Sequence, residues 1–175
     1  NFCKDTVEQL KLIQFEKHMY NNPRTGKWKS NDYDLSVTYS NIKNLDPLSK
    51  KLWFAIENYI VKDLKFKWFD GWSGYCSPRF NRYDVGTRMD KHCDHIHTIF
   101  DGTNKGVPIL SVLGLLNDDY EGGELQTFTG VEPQSVDKKK GMIAAFPSYT
   151  LHRVTPVTKG VRKTLVVWVA GPQFK

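Results

Sequence analysis

The segment Lys91-His92-Cys93-Asp94-His95-Ile96-His97 is the densest cluster of metal-ligand side chains in the chain. On an extended strand, residues two apart share a face, so His92 and Asp94 can address one ion. Cys93, His95 and His97 then fall on the other face, as supporting or surface residues. A third ligand has to come from elsewhere. His152 is the natural candidate: it follows Asp94 by 58 residues and sits in an apolar stretch between Leu151 and Val154. Two imidazoles and a carboxylate on one face of an octahedron leave three positions open, which suits iron(II) that must also hold a cosubstrate and dioxygen. Zinc is the competing metal, but the helical His-Glu-x-x-His spacing of common zinc hydrolases is absent. A His-x-Asp pair alone is more often a surface pair than a site, so its weight depends on what surrounds it.

Arg162 lies ten residues after His152, followed by Lys163 and Thr164. The turn Thr158-Lys159-Gly160 predicts a hairpin that sets Arg162 beside the His152 strand, facing the same cavity. A guanidinium there could clamp a dicarboxylate through a two-point, charge-assisted contact. An arginine after a glycine turn is commonly solvated. This one, however, opens the apolar run Leu165-Val166-Val167-Trp168-Val169, where an unpaired charge is costly.

The elements that must position these residues follow from periodicity and punctuation. Asp5 and Glu8 have capping-box spacing before Val7, Leu10, Ile13 and Phe15, which predicts a first helix. Asp46 as cap and Pro47 at the first helical position predict a second, with Leu48, Leu52, Ala55, Ile56, Tyr59 and Ile60 as its apolar stripe. The polar stretch Asn21 to Ser30 reads as a loop before a strand through Leu35–Tyr39. Beyond about Phe66 the pattern becomes short strands: 77–83, 89–94, 107–117, 124–128, 141–146, 150–157 and 162–170. Gly86, 101–106, Gly122-Gly123 and Gly160 separate them. Helices followed by many short strands predict an α+β fold with a sandwich or barrel covered on one side. The 175 residues suit one domain, with 1–65 mainly helical support and 66–175 the catalytic core.

Composition narrows the function classes. Hydrophobic residues at 39% and charged residues at 25% are ordinary for a globular domain, and aromatics reach 13%. No apolar run is long enough to predict a membrane span. Three cysteines (Cys3, Cys76, Cys93) form no paired framework, which favours a reducing, cytoplasmic setting. The net charge of +6 comes without a zinc-finger or ribonucleoprotein motif, so nucleic acid is a weak candidate partner.

The stretch from Asn81 to Gly171 resembles the catalytic domain of the prolyl 4-hydroxylase branch of the 2-oxoglutarate-dependent oxygenases. Arg82-Tyr83, His92-x-Asp94 and Leu116-Asn117-Asp118-Asp119-Tyr120-Glu121-Gly122-Gly123-Glu124-Leu125 carry the likeness. So do Gly141, Phe146-Pro147-Ser148 and the run from His152-Arg153-Val154 through Pro156-Val157 and Gly160 to Arg162. The resemblance implies a double-stranded β-helix, or jelly-roll barrel, buttressed by the N-terminal helices. It also implies Fe(II) on His92, Asp94 and His152, the distal carboxylate of 2-oxoglutarate on Arg162, and dioxygen as co-oxidant, with ascorbate keeping the metal reduced. Tyr83, nine residues before His92, is expected to contact the cosubstrate, with core packing as its other reading. Thr164 is expected to line the same pocket. Trp168, sixteen after His152, matches a tryptophan near the substrate in some relatives; a core tryptophan is the alternative.

For the substrate, the resemblance favours a prolyl residue in a peptide or protein. Two positions depart from the pattern: Pro108 where many prolyl hydroxylases have arginine, and Met89 where binders of proline-rich peptides often have tyrosine. The loop from Phe100 to Gly106 is expected to cover the entrance. Two other classes stay open. One is a nucleic-acid demethylase of the same superfamily, which usually shows a second arginine where this chain offers Lys163. The other is a jelly-roll binding module without chemistry.

Overall fold

The structure, a computed structural model, describes residues 2–22, 25–30, 35–43, 45–65, 74–94 and 106–171. His95, His97 and the part of the expected entrance loop at 100–105 lie outside them. In chain order the elements are α1 (Phe2–Leu10), β1 (Glu16–Lys17), β2 (Met19–Asn22), β3 (Lys27–Ser30), β4 (Ser36–Thr38) and α2 (Leu45–Asn58). After a π turn at Tyr59–Asp63 come β5 (Arg79–Tyr83), β6 (Met89–His92), β7 (Val107–Leu115), β8 (Glu121–Gly122) and β9 (Leu125–Thr127). The last five are β10 (Gln134–Ser135), β11 (Ile143–Pro147), β12 (His152–Val154), β13 (Val157–Lys159) and β14 (Arg162–Gly171).

The first helix begins earlier than its capping pattern suggests. Asp5 lies within α1, and the buried Thr6 hydroxyl donates back to the Phe2 carbonyl at 3.0 Å in its first turn. Ile13 and Phe15 still pack on the core, but from the segment beyond α1. In α2, Asp46 is likewise inside the first turn, and Pro47 beside it removes only an N–H that has no intrahelical partner there. The expected loop at 21–30 is instead largely the β2–β3 hairpin, pairing Met19 with Ser30 and Asn22 with Lys27. Its polar side chains hid the strands from a hydrophobicity reading, because a two-stranded ribbon can form without an apolar face of its own.

Two sheets face each other in a jelly roll. The larger has the order β1-β4-β5-β14-β7-β11 and the smaller β10-β9-β12-β6, all pairs antiparallel. The side-chain period of two divides the large sheet into two working faces. Phe80, Leu110, Val112, Leu165, Val167 and Val169 point outward and bury Leu48, Leu52, Ile56 and Ile60 of the helical layer. Tyr83, Leu113, Leu115, Phe146 and Val166 point inward with Leu125 and Val154 of the small sheet. The helices therefore buttress the back of the large sheet, leaving its front free to form one wall of a cavity.

The strand expected over 150–157 is two. It breaks at Thr155-Pro156, where proline has no N–H to offer a ladder. β13 then leaves the small sheet to pair with β8. This break also corrects the expected hairpin: β14 does not lie beside β12. It crosses to the large sheet, between β5 and β7, so Arg162 and His152 look into the interior from opposite walls.

Candidate metal centre and cosubstrate pocket

His92, Asp94 and His152 converge, each offering one ligand atom within 4.8 Å of the others. The Nε2 atoms of His92 and His152 stand 3.5 and 3.7 Å from the two Asp94 carboxylate oxygens. Adjacent ligands about 2.1 Å from one metal stand roughly 3 Å apart, so only a small closure separates this arrangement from a coordination shell. Register brings the pair together: β6 and β12 align His92 directly with His152. The His92 Nδ1 lies 2.7 Å from the Asp90 carbonyl and the His152 Nδ1 lies 2.8 Å from that of Thr150. An Nδ1–H donated to each carbonyl leaves the Nε2 lone pairs free for a cation.

Asp94 is held from behind. The Ser111 hydroxyl donates to its Oδ2 at 2.6 Å, and its backbone N–H donates to the Ser148 carbonyl at 2.9 Å. Ser111 and Ser148 hydroxyls are themselves 3.0 Å apart. Neither serine stood out as functional in sequence, although a polar residue within the apolar run Ile109-Leu110-Ser111-Val112 was the available signal. The Phe146 ring leans on His152 with centroids 4.8 Å apart.

The protonation pattern suits a cation. Burial works against the Asp94 carboxylate, yet His92, His152 and the Ser111 hydroxyl together hold it well below the usual carboxylate range. Burial, then the neighbouring His92, lowers the proton affinity of His152 and favours the neutral ring that a metal needs. Burial also opposes a charged His92, but Asp94 and the Asp90 carbonyl outweigh it and raise its proton affinity. A bound metal would compete with that proton.

The second half of the site is at the other end of β14. Arg162 is fully buried, and its Nε, Nη1 and Nη2 have no hydrogen-bond partner. Its register partner is Tyr83, and the guanidinium lies 4.7 Å above that ring. A cation–π contact supplies only part of what a dehydrated charge requires. The cavity beside it is lined mainly by apolar side chains, among them Leu113, Leu115, Leu125 and Ala144, together with Tyr120, Asp137 and Lys138. Thr164 and Tyr120 each bury a hydroxyl without a partner. Unpaired donors and a buried cationic fork are the groups that would bind a carboxylate.

The Asn117 side chain fixes where Arg162 stands. Its Nδ2 donates to the Val161 carbonyl and its Oδ1 accepts the Lys163 N–H, each at 2.7 Å, so it grips the backbone on both sides of Arg162. Gly123 closes in from above: a Cβ there would come within 2.9 Å of the Arg162 Cδ, and its φ of +59° suits glycine.

The remaining sequence candidates separate by position. Tyr83 and Thr164 face the interior with Arg162. Trp168 is half-buried on the same face, pairs in register with Ser111, and has no partner for its Nε1. Met89, at the start of β6, packs into the interior cluster. Arg79 and His18, not singled out in sequence, join this end. Arg79 stacks on Trp168 at 4.7 Å and meets the His18 Nε2 at 3.2 Å.

A facing triad and a buried arginine within one jelly roll define a metal-dependent oxygenase architecture, and the comparisons agree. The profile described as the 2OG-Fe(II) oxygenase superfamily matches residues 78–170. A PKHD-type hydroxylase of Parvibaculum lavamentivorans is 37% identical over 173 residues, covering 95% of this chain and 71% of that protein. The chain belongs to the 2OG-Fe(II) oxygenase superfamily. Another PKHD-type hydroxylase, from Teredinibacter turnerae, is 34% identical over 94 residues. That match spans 53% of this chain but only 42% of the relative, as is typical of several such relatives. Among solved structures, a prolyl hydroxylase from Trichoplax adhaerens, in complex with a hypoxia inducible factor peptide fragment, superposes with a TM-score of 0.68. It has 17% identity, over 97% of this chain and 79% of that one. A Pseudomonas putida prolyl-4-hydroxylase gives 0.62 at 16% identity, over 97% and 82%. At such identities these likenesses show the fold.

Proposed function

We propose that this protein is an Fe(II)- and 2-oxoglutarate-dependent dioxygenase that hydroxylates an unactivated C–H bond, with a prolyl residue of a peptide or protein as substrate. The observation that carries it is the pairing of the His92–Asp94–His152 triad with a buried, partnerless Arg162 in one interior. A catalytic triad of this type needs no such arginine unless a carboxylate is to be bound. When bound, the iron supplies the activation of dioxygen that no side chain can provide.

The residues divide the remaining work. His92, Asp94 and His152 would hold the metal. Ser111 and Ser148 keep the carboxylate aimed. Arg162 binds the distal carboxylate of 2-oxoglutarate, while Tyr83 and Thr164 line its pocket. The apolar side chains of the barrel exclude water from the reacting atoms. Met89 and Trp168 face the primary substrate. Ascorbate serves as the reductant that keeps the metal ferrous. Three free cysteines accord with a reducing, cytoplasmic setting, and no described helix is long and apolar enough to cross a membrane.

The deciding assay measures succinate released from labelled 2-oxoglutarate with and without Fe(II) and ascorbate, and mass gain by one oxygen atom on proline-containing peptides. Release that depends on iron and vanishes in Asp94→Ala is expected. Equal release by wild type and Asp94→Ala would refute the assigned site. Loss of a methyl mark from an oligonucleotide, with no peptide oxidised, would replace the prolyl reading with demethylation.

A further inference from the structure

A second arginine faces the same interior, and no carboxylate among the described residues meets it. Arg79 on β5 points from the large sheet's front face, one strand over from Trp168. Its Nε donates to Asn81 Oδ1 at 3.0 Å and its Nη1 meets His18 Nε2 at 3.2 Å. The guanidinium carbon lies over the Trp168 ring, 4.7 Å from its centroid. Every one of these partners is neutral. Burial, then Arg79 and His92, pushes the His18 proton affinity down to about 4, so His18 is an uncharged acceptor here. Among the described residues no ion pair involves Arg79, whereas Arg82 and Arg88 on the solvent side each hold an aspartate.

Position tells what the charge is for. Trp168 is the register partner of Ser111, which holds Asp94, so the Arg79–Trp168 stack adjoins the triad. Arg162 lies at another level. Arg79 pairs with Val166 and Tyr83 with Arg162, four residues along the strand, which is roughly 13 Å. One small dicarboxylate reaching from the metal to Arg162 therefore leaves Arg79 unmatched. Of the three triad side chains, His92 is the most open, at 35% exposure against 13% for Asp94 and 7% for His152.

We propose that Arg79, seated on Trp168 and steadied by Asn81 and His18, is the docking point for a carboxylate of the molecule that is hydroxylated. The substrate of this site is thus an acid. The carboxylate is either an acidic side chain beside the oxidised residue or the terminal carboxylate of a peptide or free amino acid. A planar, pre-stacked guanidinium offers two parallel N–H donors to such a group. The proposal rests on the oxygenase reading for the reaction but not for the binding.

Isothermal titration tests it on the protein loaded with Mn(II) and N-oxalylglycine, a non-reacting mimic that occupies Arg162. The probes are matched pairs: a peptide with internal Pro-Glu against Pro-Gln, a C-terminal proline as free acid against its amide, and L-proline against prolinamide. In at least one pair the acid is expected to bind about tenfold or more tighter, and the pair that does so identifies the source of the carboxylate. Arg79→Gln should erase the gap and Arg79→Lys should restore part of it, with melting temperature confirming that both fold. Equal affinity within every wild-type pair, absence of binding by all the acids, or a gap that survives in Arg79→Gln overturns the proposal. The oxygenase reading fails separately. A wild type that prefers acids but releases no succinate refutes the chemistry alone, while equal turnover of acid and amide twins refutes the role of Arg79 alone.

Discussion

His92 and His152 are direct register partners across β6 and β12, their ring centroids 4.3 Å apart. Residues 60 positions apart in the chain thereby share one face of the small sheet. Asp94, just past the end of β6, reaches back between them. Ligand convergence is thus a property of strand pairing, and the perturbations below follow from what supports it.

Ser111→Ala removes the 2.6 Å hydrogen bond to Asp94. Metal affinity, measured by competition with a chelator, is expected to fall about 10- to 100-fold. Thermal stability of the metal-free protein should change little by comparison, because Ser111 is a small side chain on a well-packed strand. An unchanged metal affinity would show that Ser148 and the backbone orient Asp94 unaided.

Arg162→Met should separate stability from function. The native guanidinium is buried without a hydrogen-bond partner, so an apolar side chain of similar length is expected to stabilise the cofactor-free protein by about 1–4 kcal/mol. The same variant should lose the upward shift in melting temperature that 2-oxoglutarate is expected to give the wild type. Urea titration and thermal melts with and without 2-oxoglutarate check both halves.

Asn117→Ala releases the backbone on either side of Arg162 without touching the guanidinium. The expected result is a KM for 2-oxoglutarate raised by about tenfold, with kcat less affected, since misplacing a binding group costs affinity first. Gly123→Ala should act in the same direction by pressing on the Arg162 Cδ. Its positive φ adds about 1–2 kcal/mol of destabilisation, which denaturant unfolding would register.

His18 gives a pH signature. Its folded-state proton affinity is pushed down to about 4 by burial, Arg79 and His92, while an unfolded histidine titrates near 6.5. Between those values the unfolded chain binds more protons than the folded one, so stability falls as pH drops from about 6.5 to 4. His18→Gln should flatten that limb. The comparison is read as wild type minus variant in urea midpoints across the window, because His152, whose proton affinity is lowered, and His92, whose is raised, contribute near the same pH and cancel in the difference.

Much of the candidate site was legible in the chain. The two-residue spacing of His92 and Asp94, the apolar setting of His152, and Arg162 at the head of an apolar run all reflect local rules. Strand alternation sets which side chains share a face, and burial cost makes an arginine in such a run conspicuous. The ordered motifs between Asn81 and Gly171 pointed to the barrel. The position of most strands was legible for the same reason, as short apolar runs between glycines and prolines. The β2–β3 hairpin was not, because its residues carry no hydrophobic alternation.

What the tertiary structure decided was which wall each residue stands on. A turn between His152 and Arg162 looks like a hairpin to local reasoning, but β12 ends before Pro156, β13 pairs with β8, and β14 runs in the opposite sheet. Only that crossing faces Arg162 toward the triad's cavity from the other side. The support for Asp94 by Ser111, the grip of Asn117 on Val161 and Lys163, and the stack of Arg79 on Trp168 join residues 17 to 89 positions apart. Such contacts depend on sheet register, and register is set by the summed packing of both faces rather than by any local pattern.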